Sequence, residues 1–186
     1  ALRRDTSAAS GFSSLPYGEA IDRVATEAFG ADRPELVCEP GRALCAEYNS
    51  LIVRVERRRG TELFINDGAY GSLFDAAHIG WRFPVALQRS DTSIGTQMAE
   101  FSFYGPTCDD MDHMAGPFIL PDDVQAGDYI EVGMLGAYGC AMRTEFNGFG
   151  ETDTVPVEDE PMASLYAQLP ANDASNVVKI GKRSAQ

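Results

Sequence analysis

Residues 105–114, GPTCDDMDHM, put a cysteine, three aspartates and a histidine within one short stretch. Three kinds of chemistry could use them. Cys108 could act as a nucleophile. Cys108, Asp109, Asp112 and His113 could hold a metal. The carboxylates could instead await a cation carried by a substrate. Zinc sites favour more Cys and His, in spaced pairs, than this chain offers nearby, so metal is the weakest reading. A Cys–His nucleophile pair is also weak, because the chain's two histidines are His78 and His113, and His113 lies too close in sequence to Cys108.

Other stretches carry chemistry of their own. Glu39-Pro40-Gly41-Arg42 offers a glycine where backbone N–H groups can approach a ligand and an arginine that can fork onto phosphate oxygens. The same residues also suit a plain Pro-Gly turn with a surface Glu–Arg pair. Asn66-Asp67-Gly68 ends an apolar run and reads equally as a hairpin turn. Gly136-Ala137-Tyr138-Gly139 places a phenol in a glycine-rich bend, where a structural tyrosine is the commoner reading.

The elements that must position these residues are uneven along the chain. Residues 1–15 read as a Ser-rich loop. From Pro16 to Gly30, Ile21, Val24, Ala25, Ala28 and Phe29 recur at helical spacing, with Pro near the start and Gly past the end. Leu36-Val37-Cys38 reads as a buried strand. Then β signals dominate: LIVRVERRR, TELFIND, FPVALQR, AEFSFYG and DYIEVGML, each bounded by Gly, Pro, Asn or Asp. GAYGCAMR suggests a brief helical turn, ETDTVPVEDEPM an exposed loop, and SNVVKIG a last strand. The fold expected is mostly β, a sandwich or barrel preceded by one helix–strand unit that cannot cover its own apolar faces.

Composition narrows the function classes. The 186 residues are 44% hydrophobic with a net charge of −13. No basic cluster suits a phosphate backbone, which argues against nucleic acid. No apolar run reaches the roughly 18 residues of a membrane helix. The cysteines show no CxxC spacing and read as reduced thiols of a cytoplasmic protein. Of 15 basic side chains only Lys179 and Lys182 are lysines.

Taken in order, CEPGR, FINDGAYGSLFDAAH, YGPTCDDMDHM, GDYIEVGMLGAYG and TEFNGFG closely resemble the C-terminal half of the pyridoxal-phosphate-dependent basic amino acid decarboxylases. The resemblance runs from about Leu15 to Gly150 and is strongest to the ornithine-specific members. It implies an alanine-racemase-type (β/α)8 barrel, of which residues 1–42 keep the last helix and strand, and a C-terminal β domain over 43–186. It implies pyridoxal 5'-phosphate as cofactor, a basic amino acid as substrate, and a head-to-tail homodimer with shared active sites.

Residue by residue, the resemblance gives Glu39 the pyridine nitrogen, and Gly41, Arg42 and Tyr138 the cofactor phosphate. Asp67 and Asp109 receive the substrate's distal ammonium. Cys108 enters the opposite subunit's site as proton donor, and no metal is needed. Asp112 pairs across the dimer interface, and Phe146 is an aromatic near it. The order Thr107-Cys108-Asp109 favours ornithine, with lysine the main rival. Diaminopimelate decarboxylases usually carry a glutamate after the cysteine. A non-catalytic, regulator-binding relative is the other alternative, and a stand-alone β module for a small cation or phosphate compound is a third.

The family's Schiff-base lysine, its ring-stacking histidine and its glycine-rich phosphate loop have no match here. The expectation is therefore a C-terminal part, inactive alone, of a chain about twice as long, since a full barrel needs some 250 residues.

Overall fold

The computed structural model describes residues 2–6, 15–37, 39, 41–158 and 162. Eight strands form one curled sheet: β1 (Leu2–Thr6), β2 (Asn49–Arg59), β3 (Glu62–Ile65), β4 (Val85–Gln88), β5 (Met98–Tyr104), β6 (His113–Pro121), β7 (Tyr129–Val132) and β8 (Asp153–Val157). Among the described residues three α-helices accompany them: α1 (Leu15–Phe29), α2 (Arg42–Cys45) and α3 (Phe74–His78). The mostly β expectation is met.

Strand β2 organises the sheet because it is long enough to serve two halves. Its first half pairs antiparallel with β7, Leu51 opposite Val132, and with β1, Leu2 opposite Ile52. Its second half pairs with β3, Arg59 opposite Glu62. A register shift between Val55 and Arg57 separates the halves, and such a bulge bends a strand. The path runs β4-β7-β2-β3-β5-β6. Alternate residues Leu51, Val53 and Val55 are wholly buried, as are Leu63, Phe103, Met114, Leu120, Ile130 and Val132. Period-two burial of this kind is what the alternation in LIVRVERRR encodes. Phe103 and Phe118 stack at 4.1 Å between centroids inside this core.

One feature of the topology sets the site. Strands β3 and β5 are parallel, with Phe64 opposite Tyr104. Their C-terminal ends therefore lie at the same edge, and the segments that follow them, 66–73 and 105–112, emerge side by side.

Several local expectations are corrected. Leu36-Val37 is not a strand, and Val37 is 84% exposed. A strand needs neighbouring backbone to pair with, and none among the described residues lies there. Residues 2–6, expected as loop, form β1 because the edge of β2 supplies such a partner. Residues 136–143 make turns rather than a helix, and part of the acidic segment after 151 forms β8, parallel to β1. Strand β6 and helix α3 were not expected. Cys38, Pro40 and the SNVVKIG stretch lie outside the described residues. On α1, Ile21, Val24 and Phe29 are more than half exposed, so its apolar face is bare in this chain.

Candidate active site

Two clusters gather the residues that sequence singled out. The first arises where segments 66–73 and 105–112 meet. Asp112 joins them. It is 1% exposed, and its carboxylate accepts from Ala69 N (2.7 Å), Thr107 N (3.0 Å) and Thr107 Oγ1 (2.7 Å). A side chain on Gly105 could not coexist with it: a Cβ there would lie 2.1 Å from Asp112 Oδ1. Within its own chain Asp112 already has three donors. His113 turns away and stacks on Tyr104 at 4.3 Å. Among the described residues no group of three or more His, Cys, Asp or Glu is arranged to hold a metal ion.

With its base fixed by Asp112, the loop presents Cys108 and Asp109. Cys108 is exposed and free. The Tyr70 hydroxyl donates to Asp109 Oδ2, and Met111 N donates to Asp109 Oδ1 at 2.9 Å. The Tyr70 hydrogen bond, aided by the Met111 N–H, holds the Asp109 carboxyl below its ordinary range, and the same bond pushes the Tyr70 phenol up. Phe146 packs on Tyr70 at 4.5 Å, and Asn147 Nδ2 donates to Cys108 Sγ at 3.2 Å. Beside Asp109 opens a cleft of about 470 Å³, lined also by Glu56, Asn66, Tyr104, Thr107 and Phe149.

Asp67 does not present an open carboxylate to this cleft. It is 5% exposed and accepts from Gly68 N (2.6 Å), Ser72 N (2.7 Å) and Ser72 Oγ (3.2 Å). Burial pushes its pKa up, against the pull of these bonds and of the Arg143 charge. Aspartate side chains commonly close a turn this way. Within one chain Asp67 and Asp109 do not line the same opening.

The second cluster forms around Arg42. Leu135 N donates to Asn49 O at 2.9 Å and Gly136 N to Ala46 O at 3.0 Å, which lays the GAYG segment along the end of α2. Arg42 is consequently sandwiched, 4.9 Å from the Tyr138 ring centre and 4.5 Å from that of Trp81. The Asp75 carboxylate, at the start of α3, pairs with its guanidinium. Gly41 is open: a Cβ there would meet only the Tyr138 hydroxyl, at 3.9 Å. Glu39 is exposed just upstream. A guanidinium, a phenol and an unobstructed backbone N–H make a donor set suited to a phosphate.

Segment 136–150 links the clusters, since Thr144 N donates to Tyr70 O at 2.8 Å while Tyr138 sits on Arg42. Tyr70, Asp75 and Asn147 lie within the sequence motifs without a role of their own there, and Trp81 lies outside them. Their partners lie 39, 33, 39 and 39 positions away for Tyr70–Asp109, Arg42–Asp75, Cys108–Asn147 and Arg42–Trp81, so no local pattern marks them.

Comparison with known proteins adds an independent line. A sequence model described as the C-terminal sheet domain of pyridoxal-dependent decarboxylases matches residues 42–136. A chloroplastic ornithine decarboxylase of Nicotiana glauca is 34% identical over 67% of this chain and 31% of its own length. Antizyme inhibitor 2 of Xenopus laevis is 30% identical over 63% of this chain and 29% of its own. The arginine decarboxylase of Paramecium bursaria Chlorella virus, solved with agmatine, has TM-score 0.63 and 27% identity, covering 80% of this chain and 42% of that one. The chain thus spans about a third of the length of these curated relatives.

Proposed function

This chain belongs to the pyridoxal-dependent decarboxylases through their C-terminal sheet domain, and we propose that it completes the active sites of an enzyme that decarboxylates a basic amino acid, ornithine first and lysine next. The observation that carries the reading is Asp109. It is a carboxylate kept ionised by Tyr70, at an open cleft, one residue from a free thiol. An ionised carboxylate in that setting suits a terminal ammonium, and a fixed position selects among side chains of different length.

The cofactor of this family is pyridoxal 5'-phosphate. When bound, it draws off the electron pair left as CO2 departs. Arg42, Gly41 and Tyr138 would hold its phosphate, with Asp75 and Trp81 keeping the guanidinium flat between the rings. Glu39 would face the ring nitrogen and favour its protonated form. Cys108 would give a proton to the carbon that lost its carboxylate. Asp67 shapes the turn that carries Tyr70 and so acts on Asp109 at one remove.

In this reading residues before 43 complete the cofactor barrel, and the bare face of α1 is covered by it. The enzyme works as a homodimer in which the Arg42 cluster serves one site and the Cys108–Asp109 loop serves the other. The free thiols of Cys45, Cys108 and Cys140 suit a reducing compartment such as the cytoplasm.

The test is CO2 release by the whole protein with pyridoxal 5'-phosphate, from ornithine, lysine, arginine and diaminopimelate in parallel. The expected order puts ornithine first. Asp109→Asn should raise KM for ornithine by about tenfold or more, the usual loss for one charge-assisted contact. Cofactor binding with no release from any of the four would reject catalysis and favour a regulatory relative.

A further inference from the structure

We propose that Asn147 is a positioning residue for the Cys108 thiol: its side-chain N–H orients the sulfur and faces the charge left there when the proton is given up. This deepens the proposed function and rests on Cys108 as proton donor.

The backbone raises the question. Asn147 has φ 55° and ψ 21°, and with Met134 it is one of two non-glycine residues at positive φ among those described. Glycine adopts this conformation without steric cost, and Gly148 and Gly150, both at positive φ, show that the loop uses it freely. A side chain is kept at 147 nonetheless. Its Nδ2 reaches Cys108 Sγ at 3.2 Å.

The loop that carries Asn147 is anchored to the segment that carries the rest of the site. Thr144 N and Thr144 Oγ1 both donate to Tyr70 O, at 2.8 and 3.1 Å. Phe146 N donates to Thr144 Oγ1 at 3.2 Å, and Phe149 N closes the turn on Phe146 O at 3.2 Å. Tyr70 in turn holds Asp109, the neighbour of Cys108. One framework thereby sets both the amine-reading carboxylate and the thiol.

The chemistry needs such a partner. In the step assigned to Cys108, the S–H bond breaks and a C–H bond forms at the substrate carbon, using the pair left by the departing CO2. The S–H pair stays on sulfur as a thiolate, later reprotonated by solvent. An N–H aimed at sulfur holds the thiol on one rotamer and meets the charge left as the proton departs. A proton delivered from the wrong direction would go to the cofactor instead, leaving the amino group there so that water releases the substrate chain as an aldehyde.

Three variants separate the roles: Asn147→Gly keeps the backbone geometry and drops the side chain, Asn147→Asp keeps the shape and replaces the N–H by a negative charge, and Cys108→Ala tests the underlying reading. Two readouts are used on the whole protein with its cofactor. The first is the rate of iodoacetamide alkylation at Cys108, mapped by peptide mass against Cys140 as internal control. It should fall about threefold in Asn147→Gly and about tenfold in Asn147→Asp, with Cys140 unchanged. The second is steady-state product analysis. Both Asn147 variants should lower kcat with KM within about twofold and raise the aldehyde share toward that of Cys108→Ala. Unchanged alkylation at Cys108 in both variants would overturn the proposal. An unchanged aldehyde share in Cys108→Ala would instead reject the proton-donor reading, even with the Asn147 contact confirmed by alkylation.

Discussion

Replacing Asp112 by alanine removes the buried side chain that, beside the Tyr70–Asp109 hydrogen bond, ties segments 66–73 and 105–112 together. Its carboxylate accepts three hydrogen bonds within 2.7–3.0 Å, from Ala69 N, Thr107 N and Thr107 Oγ1. The Ala69 N–H bond is buried, and stranding a buried donor costs about 1–3 kcal/mol. The two Thr107 bonds are part-buried and add about 1 kcal/mol each. The sum, about 3–5 kcal/mol, is a large share of the roughly 5–15 kcal/mol that holds a domain together. Urea unfolding with a two-state fit measures it. A second variant isolates the cause. The three atoms nearest a Cβ on Gly105 all belong to Asp112, the nearest at 2.1 Å. Gly105→Ala should therefore be costly in the wild type and nearly neutral once Asp112 is alanine, a coupling that a double-mutant cycle reads directly. The reasoning is refuted if Asp112→Ala loses under about 1 kcal/mol at unchanged m-value, or if Gly105→Ala costs the same in both backgrounds.

Three further outcomes follow from the same geometry. Tyr70→Phe removes the main cause of the lowered Asp109 pKa, so that pKa rises toward the ordinary carboxylate value. A depressed carboxylate stabilises the fold above its unfolded pKa and loses that contribution as pH falls, so the variant's loss should be present at neutral pH and vanish in acid. The acid limb of substrate binding should move to higher pH, as a KM–pH profile would show. Asp67→Asn keeps an acceptor for Gly68 N and Ser72 N, so KM should stay within about threefold of wild type, whereas a true ammonium ligand would cost far more. Its raised pKa has the opposite sign: that stability is full below the unfolded value and lost as pH rises, so asparagine should gain on aspartate with rising pH in thermal melts. Arg89, 9% exposed at its side chain, forks onto Asp128 at 2.7 and 2.6 Å and reaches Asp123 at 2.8 Å. Arg89→Met leaves Asp128 buried and unpaired by it, and should cost about 3–5 kcal/mol by denaturant unfolding.

How much of this was legible depends on whether the signal was local. Strands β2, β3, β4, β5 and β7 announce themselves through alternation or short apolar runs between turn residues. Strand β6 does not, because Gly116-Pro117 interrupts HMAGPFILP and the Asp-rich residues before it resemble loop. It survives as the last strand on the sheet path, where a missing N–H is tolerated. Strand β8 hides for the same reason: Pro156 sits in an acidic segment, and among the described residues β1 is its sole strand partner. Helix α3 has five residues, too few to show a period. Leu36-Val37 misleads in the other direction, since an apolar run makes a strand only where another strand pairs with it.

The site divides along the same line. Cys108, Asp109, Arg42 and Tyr138 were visible by residue type and motif order. Their partners Tyr70, Asp75, Trp81 and Asn147 were not, because their roles arise from the parallel pairing of β3 with β5 and from segment 136–150 crossing between clusters. Asp67 was read as a substrate carboxylate and Asp112 as an interface acid; within this chain burial and backbone donors surround both.

In the proposed homodimer one chain serves two active sites, the Arg42 cluster in one and the Cys108–Asp109 loop in the other. Subunit mixing tests it most directly. Whole-protein Arg42→Ala and Cys108→Ala, each nearly inactive, are combined, dissociated and allowed to reassociate. If the sites are shared across a two-fold dimer, half of the mixed dimers' sites are intact, and random mixing restores about a quarter of wild-type activity. No recovery above the sum of the two parents would mean that both clusters serve the same site, and would contradict the account.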